Sequence, residues 1–174
     1  MTFSAPLAFD AGLVLLGHGP AGQVRALLHH AGPGLAAALA QPWSGLLEGE
    51  DPAAALQAGR PGLVALARDP GQSLANGGHW AEALGAWRQP VLVLLTAEQV
   101  GWGLATASAA LLRQHDVPLL GLVQWGQAWD GDLRRREGLP WLGWWAGDPE
   151  GAEAAVLRQA LRVRGRLLAA DLAG

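Results

Sequence analysis

The sequence contains no cysteine and no lysine among its 174 residues. Without cysteine it can form no disulfide framework, offers no thiolate to a metal and has no cysteine nucleophile. All 12 basic residues are arginines, so no lysine is present to pair with a phosphate or to form a Schiff base. Thiol catalysis and lysine-assisted phosphoryl transfer therefore lack the residues that carry them.

A large net charge and a long apolar run are also absent. The formal net charge of −3 gives no indication of a nucleic-acid or membrane-surface partner. The apolar runs are too short for a transmembrane span. The N-terminal stretch MTFSAPLAFDAG lacks a basic region and contains Asp10, which argues against a signal peptide. We expect a single domain, residues 1–174, in a cytoplasmic protein.

The sequence does contain short apolar runs that alternate with helical stretches. This alternation predicts a three-layer α/β fold, a mostly parallel sheet with helices on both faces. The predicted strands lie within 11–17, 61–68, 89–96, 117–125 and 139–145. The predicted helices lie within 21–32, 79–88, 103–115 and 150–170. Residues 32–60 are rich in proline and glycine and have no clear assignment.

Particular residues mark the ends of the first and last predicted helices. Gly32 and Pro33 are expected to stop the first helix, which places His29–His30 in its final turn. Asp148 is a candidate N-cap of the last helix, with Pro149 as its first residue. Four arginines fall later in that helix, where its dipole favours positive charge: Arg158, Arg162, Arg164 and Arg166.

A glycine-rich turn follows the first predicted strand in LVLLGHGPAGQVRALL, residues 13–28. Its three glycines are Gly17, Gly19 and Gly22. Together they fit the dinucleotide pattern G-x-G-x-x-G, and the first and third also fit the P-loop pattern G-x-x-x-x-G-K-[ST]. In the P-loop pattern, Gln23 replaces the lysine and Val24 the hydroxyl residue. Backbone N–H groups at the helix start can still bind an anion, though Pro20 removes one donor. A plain strand-to-helix turn without a ligand is the alternative.

Four stretches carry a family resemblance. The stretch WRQPVLVLLTAEQVGWGLATASAALLRQHDVPLLGLVQWG is similar to a P-V-L-L-V strand that leads through a glycine loop and a helix to a G-V-V-L-N strand. GLPWLGWWAGD is similar to P-V-L-G-x-L-P, RDPGQSL to E-G-A-G-G-L or E-A-P-G-S-L, and AQPWSG to K-P-V-Q-S-G. These are segments of dethiobiotin synthetase, the ATP-dependent enzyme that closes a ureido ring in biotin synthesis. The resemblance implies a P-loop NTPase-like fold, a homodimer, and the use of ATP, magnesium, carbon dioxide and diaminopelargonic acid.

At the positions that this resemblance would make functional, the side chains differ. Gln41 stands where the family has a substrate-binding lysine, and the family's acidic residue falls on Arg68 or Asp69, depending on the alignment. The asparagine associated with base recognition corresponds to Gln124 or Trp125, and the substrate loop reads GWGLAT, without an amide. We expect a non-catalytic dethiobiotin synthetase-like protein that acts through protein contact, as a homodimer or assembly subunit, with no cofactor or metal. The alternative is an ATP- and magnesium-dependent ligase that uses substitutes such as Asp69 and Arg68.

Other enzyme classes fit less well. A dinucleotide-binding fold needs an acidic residue about 20 positions after its glycines, and none occurs before Glu48. The GQSLA stretch around Ser73 could suggest a serine esterase, with His79 or His115 as base. This stretch lacks two features of a nucleophile elbow, the position between a strand and a helix and the second glycine. His29–His30 lack the spacing of a zinc site.

Nine tryptophans stand beside two phenylalanines and no tyrosine. Five of them fall in one segment: Trp125, Trp129, Trp141, Trp144 and Trp145. Alternation along a strand sends Trp144 and Trp145 to opposite faces. The cluster is a candidate interface, with Arg134, Arg135 and Arg136 as a polar rim, because tryptophan is enriched at interaction hot spots. Core filling is the alternative.

Overall fold

The computed structural model describes residues 12–126 and 129–173, with side chains up to residue 170; Asp10 and its stretch lie outside these ranges. In the described part, six strands form one parallel sheet. The strands are β1 (Leu13–Leu16), β2 (Trp43–Leu47), β3 (Leu63–Leu66), β4 (Val91–Thr96), β5 (Leu119–Trp125) and β6 (Trp141–Trp145). They lie in the order β2-β3-β1-β4-β5-β6. The five predicted strands are confirmed, and β2 is additional.

Helices cover both faces of this sheet. Those described are α1 (Ala21–Ala38), α2 (Pro52–Gln57), α3 (Trp80–Ala86), α4 (Ala97–Gly101), α5 (Leu104–Gln114), α6 (Gly131–Arg136) and α7 (Ala152–Ala173). Helices α1 and α7 pack on one face, and α2, α3 and α5 pack on the other. The predicted three-layer α/β architecture is therefore confirmed.

The central strands are apolar throughout because both of their faces are covered. In β1, Leu13 and Leu15 contact the core beneath α1 and α7, whereas Val14 and Leu16 contact the core beneath α3 and α5. All four side chains are buried. This is the two-residue alternation of a strand, repeated on two apolar faces.

The first helix does not stop at Gly32 and Pro33, as predicted, but continues to Ala38. The Pro33 ring faces solvent, and the two flanking glycines serve packing. A Cβ atom on Gly32 would lie 2.3 Å from the Trp43 ring, and one on Gly34 would lie 2.7 Å from the Trp145 ring. Tertiary packing thus overrides the two helix-breaking residues.

Two further expectations for α1 and its surroundings change with its length. His29–His30 lie in the middle of the helix, so their assignment to its final turn is wrong. Residues 32–60 contain the rest of α1, then β2 and α2. Asp51 caps α2 by accepting a hydrogen bond from the Ala54 amide at 3.1 Å.

The last helix begins at Ala152, later than the predicted start at Pro149. Asp148 caps the turn before it, since its Oδ1 accepts a hydrogen bond from the Glu150 amide at 2.9 Å. The prediction that Asp148 is the N-cap of this helix is therefore wrong by one turn.

The late arginines of α7 do not complement its dipole, because no basic residue lies in its last turn. Two of them bind carbonyl groups of other elements instead. Arg158 donates to the Ala38 carbonyl at 2.7 Å, and Arg164 donates to the Leu120 carbonyl at 3.1 Å. These arginines attach α7 to the end of α1 and to β5.

The sheet order places a crevice beside β1. The chain adds β2 and β3 on one side of β1 and then crosses to β4 on the other. Where the strand order reverses in this way, the helices that follow the two neighbouring strands lie on opposite faces of the sheet. Ligands of open α/β sheets bind at the carboxyl ends of the strands at this switch point. The glycine-rich turn after β1 lies at this edge.

Candidate functional site

The candidate site joins the loops that follow β1, β3 and β4. His18 and Gly19 follow β1, Asp69 follows β3, and Thr96 ends β4. Because the strands are parallel and adjacent, their carboxyl ends meet at one edge, and loops far apart in sequence come into contact.

Asp69 is the centre of this arrangement. Its Oδ2 accepts a hydrogen bond from the Gly19 amide at 2.8 Å and lies 3.2 Å from Nδ1 of His18. Its Oδ1 accepts from the Gly71 amide at 2.9 Å. Burial acts to raise the pKa of this carboxyl, but the hydrogen bonds from His18 and the two amides outweigh burial and hold the pKa below its ordinary value. Asp69 is therefore a carboxylate that the loop after β1 binds as an anion.

His18 is buried beside this carboxylate, with 6% of its surface exposed. An ionised carboxylate at Nδ1 favours the tautomer with the proton on that nitrogen. Its Nε2 is buried and has no hydrogen-bond partner among the described residues. The pair has the orientation of a carboxylate–histidine dyad, held beneath the surface.

A third loop fixes the backbone of His18. Gln99 donates from Nε2 to the His18 carbonyl at 2.7 Å. Gln99 and Thr96 also form a capping box at the start of α4, in which each side chain accepts the other's amide hydrogen, at 2.9 and 3.2 Å. The loop after β1 is thus bound on one side by Asp69 and on the other by Gln99.

The remaining loop residues lie at or just before the start of α1. Helix α1 begins at Ala21, so Gly22 already lies in its first turn. Val24, predicted at the position of the metal-binding hydroxyl, is buried in the core, where its Cγ1 would lie 3.2 Å from a Cβ on Gly17. Gln23 is exposed. The Gly19 amide, one of the donors that could face a ligand, is bonded to Asp69.

The structure separates the other predicted site residues. Arg68 pairs with Glu50 at 2.6 Å, whereas Asp69 binds the amides of Gly19 and Gly71. Gln41 precedes β2 and lies at the amino edge of the sheet, opposite the loop. Gln124 is buried near the carboxyl end of β5, in register with Leu95.

The tryptophan segment divides between core and surface. Trp145 is buried with 2% of its surface exposed, and its indole donates to the Asp148 carbonyl at 3.0 Å. Trp125, Trp129, Trp141 and Trp144 are half-buried. Trp141 packs edge-on against Trp129 and under the Arg134 guanidinium, and it donates to Glu137 at 2.8 Å. Two tryptophans outside this segment, Trp87 and Trp102, are more exposed.

Three residues of the rejected esterase interpretation do lie together. Ser73 and His79 form an isolated antiparallel bridge, and the His79 and His115 rings meet edge to face with centroids 4.7 Å apart. Ser73 itself is exposed and lies in a turn, not between a strand and a helix. The nucleophile elbow is therefore absent at this serine.

Sequence reasoning missed His18 and Gln99. The T-A-E-Q sequence at 96–99 is a capping-box pattern and could have located Gln99 at the start of a helix directly after β4. His18 had no such signal, since a histidine between glycines fits many turns.

The protein is thus a three-layer α/β protein in which the Asp69 carboxylate binds the loop after β1, at the point where the strand order reverses. Comparison with models of known families and with curated proteins gives no match. Across the described ranges, no helix has the length and apolarity needed to cross a membrane. Nor do the described histidine, aspartate and glutamate side chains form a group of three that could hold a metal.

Proposed function

We propose that this chain is a non-catalytic, dethiobiotin synthetase-like protein with a P-loop NTPase-like fold, which acts in the cytoplasm through contact with a second copy of itself. The observation that carries the proposal is an apolar seam on α7. The seam consists of Val156, Ala160, Val163 and Leu167. Its three larger members are 60%, 46% and 56% exposed in chain order.

The spacing of the seam is that of helix pairing. Its members follow one another at intervals of four, three and four residues, which is the alternation of core positions in a coiled coil. Alanine in the middle permits close approach of a second helix. A groove lined by Trp141, Leu142 and Ala155 runs beside the seam, next to the open edge of β6. In a twofold dimer the same surface of both copies forms the interface. A ridge beside a groove can therefore fit the groove and the ridge of the second copy.

Charge complementarity favours a second copy as the occupant. If two α7 helices pack antiparallel about an axis between Gln159 and Ala160, Val156 lies level with Val163 of the second copy. The same axis places Glu153 level with Arg166 of the second copy. Val156 and Val163 thus meet on either side of the axis, Ala160 lies level with Gln159 beside it, and opposite charges are level at both ends.

The filled loop supports the non-catalytic part of the proposal. A phosphate bound to the Gly19 amide would have to displace the Asp69 carboxylate, and one bound nearby would be repelled by its negative charge. No lysine exists in the sequence to offset the repulsion. Arg68, the other substitute considered for a ligase, is paired with Glu50.

We expect ATP with magnesium to leave the melting temperature of the protein unchanged. A ligand at 100 times its Kd would add roughly 2.7 kcal/mol of stability, an easily measured shift. The variant Gln23→Lys/Val24→Thr should also show no shift, because Asp69 still occupies the loop and position 24 faces the core. An ATP-dependent rise in the unaltered protein would contradict the proposal and favour the ligase.

We expect Val163→Glu to convert a dimer into a monomer at micromolar concentration. Two buried carboxylates would face apolar residues, and loss of a hot spot of about 2 kcal/mol weakens association roughly thirtyfold. Sedimentation equilibrium measures this. Trp102→Glu is the matched control, since Trp102 is 68% exposed but lies away from the seam.

A charge exchange tests the antiparallel arrangement itself. Glu153→Arg alone should weaken the dimer, and Glu153→Arg/Arg166→Glu should restore it, because both pairs are then reversed. A monomeric unaltered protein would overturn the proposal. A dimer that Val163→Glu leaves intact would remove the seam from the interface.

A further inference from the structure

A cavity at the amino edge of the sheet is lined by arginines. Its volume is about 550 Å³, which is within the usual range for a small-molecule site. It lies on the opposite edge from the loop after β1, between the segments that lead into β4, β5 and β6. The cavity is therefore separate from the site described above.

Three arginines line this cavity, Arg88, Arg113 and Arg164, together with one acidic residue, Asp116. None of the three arginines forms an ion pair with a described residue. The lining therefore carries a net positive charge of two. Uncompensated guanidinium groups that converge on one cavity favour a multiply charged anion.

Hydrogen bonds fix the backbone of one of these arginines and the side chain of another. Arg88 has a left-handed conformation, with φ of 50°, where its amide donates to the Gly85 carbonyl at 2.9 Å. Arg164 uses only its Nε to bind the Leu120 carbonyl. Its two terminal nitrogens keep their donors, and a planar fork of this kind binds phosphate oxygens in pairs.

The remaining wall indicates what the anion is attached to. The cavity also contacts Val117, Leu119, Leu139 and Pro140, which offer apolar surface. Asp116 offers an acceptor to a hydroxyl group. We propose that this cavity binds a small phosphate monoester, with the phosphate on the three arginines and its organic group on the apolar wall.

Titration calorimetry with phenyl phosphate tests this directly. We expect binding by the unaltered protein, and a loss of at least about tenfold in affinity for Arg88→Gln/Arg113→Gln, because each guanidinium supplies charge-assisted hydrogen bonds. Both side chains are exposed and carry no internal ion pair, so the fold should tolerate the change. Arg162→Gln, an α7 arginine outside the cavity, is the matched control and should bind as the unaltered protein does.

Two further probes separate the parts of the ligand. We expect no binding of phenol, because it lacks the phosphate. We expect inorganic phosphate to bind more weakly than phenyl phosphate, because it lacks the group that contacts the apolar wall. Absence of phenyl phosphate binding, or equal loss in the control variant, would overturn the proposal. Equal affinity for inorganic phosphate would overturn the assignment of an ester. Because the cavity is remote from the loop and its test does not use nucleotide, failure here leaves the proposed function untouched.

Discussion

Replacing Trp145 with alanine is expected to lower the free energy of unfolding by about 3–5 kcal/mol. The ring fills the core between β6 and α1 and contacts Gly34, and its indole nitrogen is bonded to the Asp148 carbonyl. Alanine would leave a large cavity and remove the indole hydrogen bond to that carbonyl, which would keep only the bond from the Gly151 amide at 3.3 Å. Chemical denaturation followed by circular dichroism measures the change.

Trp144 provides the matched control, since it is the adjacent residue of the same strand but belongs to neither core cluster. Trp144→Ala should cost about 1 kcal/mol, the centre of the range for single substitutions, because Trp144 is only half-buried. Equal losses at the two positions would mean that Trp145 does not occupy the core as described, and would return it to the candidate interface.

Gly85→Ala is expected to destabilise the fold by about 3 kcal/mol. A Cβ atom at this position of α3 would lie 1.7 Å from the His115 carbonyl oxygen. The obstacle is backbone, which cannot rotate aside as a side chain can, so α3 would have to move away from the end of α5. Thermal and urea denaturation would both detect the loss.

Gly101→Ala is the control, because Gly101 is also helical and no atom lies within 4 Å of the Cβ it would gain. There alanine should be neutral or stabilising by up to about 1 kcal/mol, as its helix propensity exceeds that of glycine. If Gly85→Ala proved as harmless as Gly101→Ala, the close packing of α3 on the end of α5 would be contradicted.

The strands could be predicted from sequence because burial on both faces leaves an unbroken apolar run, as in VLVLL of β4. The end of α1 could not, since Gly32 and Pro33 are local stop signals and the tryptophans that pack against the helix come from residues 43 and 145. The short helix α4 has no apolar period because it is only five residues long, so the capping-box pattern at 96–99 is its one sequence signal.

The candidate site shows a similar division. The glycine pattern correctly located the turn after β1, but whether Arg68 or Asp69 reached it depended on the direction in which the loop after β3 turns. That direction is fixed by contacts with Gly19 and Gly71, and no sequence pattern contains them. His18 was missed for the same reason, since its partner Asp69 lies 51 residues away in the chain.

The two glycines of α1 have a consequence for how the protein unfolds. Trp43 belongs to β2 and Trp145 to β6, the strands at the two edges of the sheet, and both rings pack on one turn of one helix. Edge strands usually open locally and exchange their amide hydrogens faster than the centre of a sheet. Here neither edge can open without disturbing the helix that also covers the central strands. The edges and the centre should therefore form one cooperative unit, with amide exchange at β2 and β6 proceeding through global unfolding.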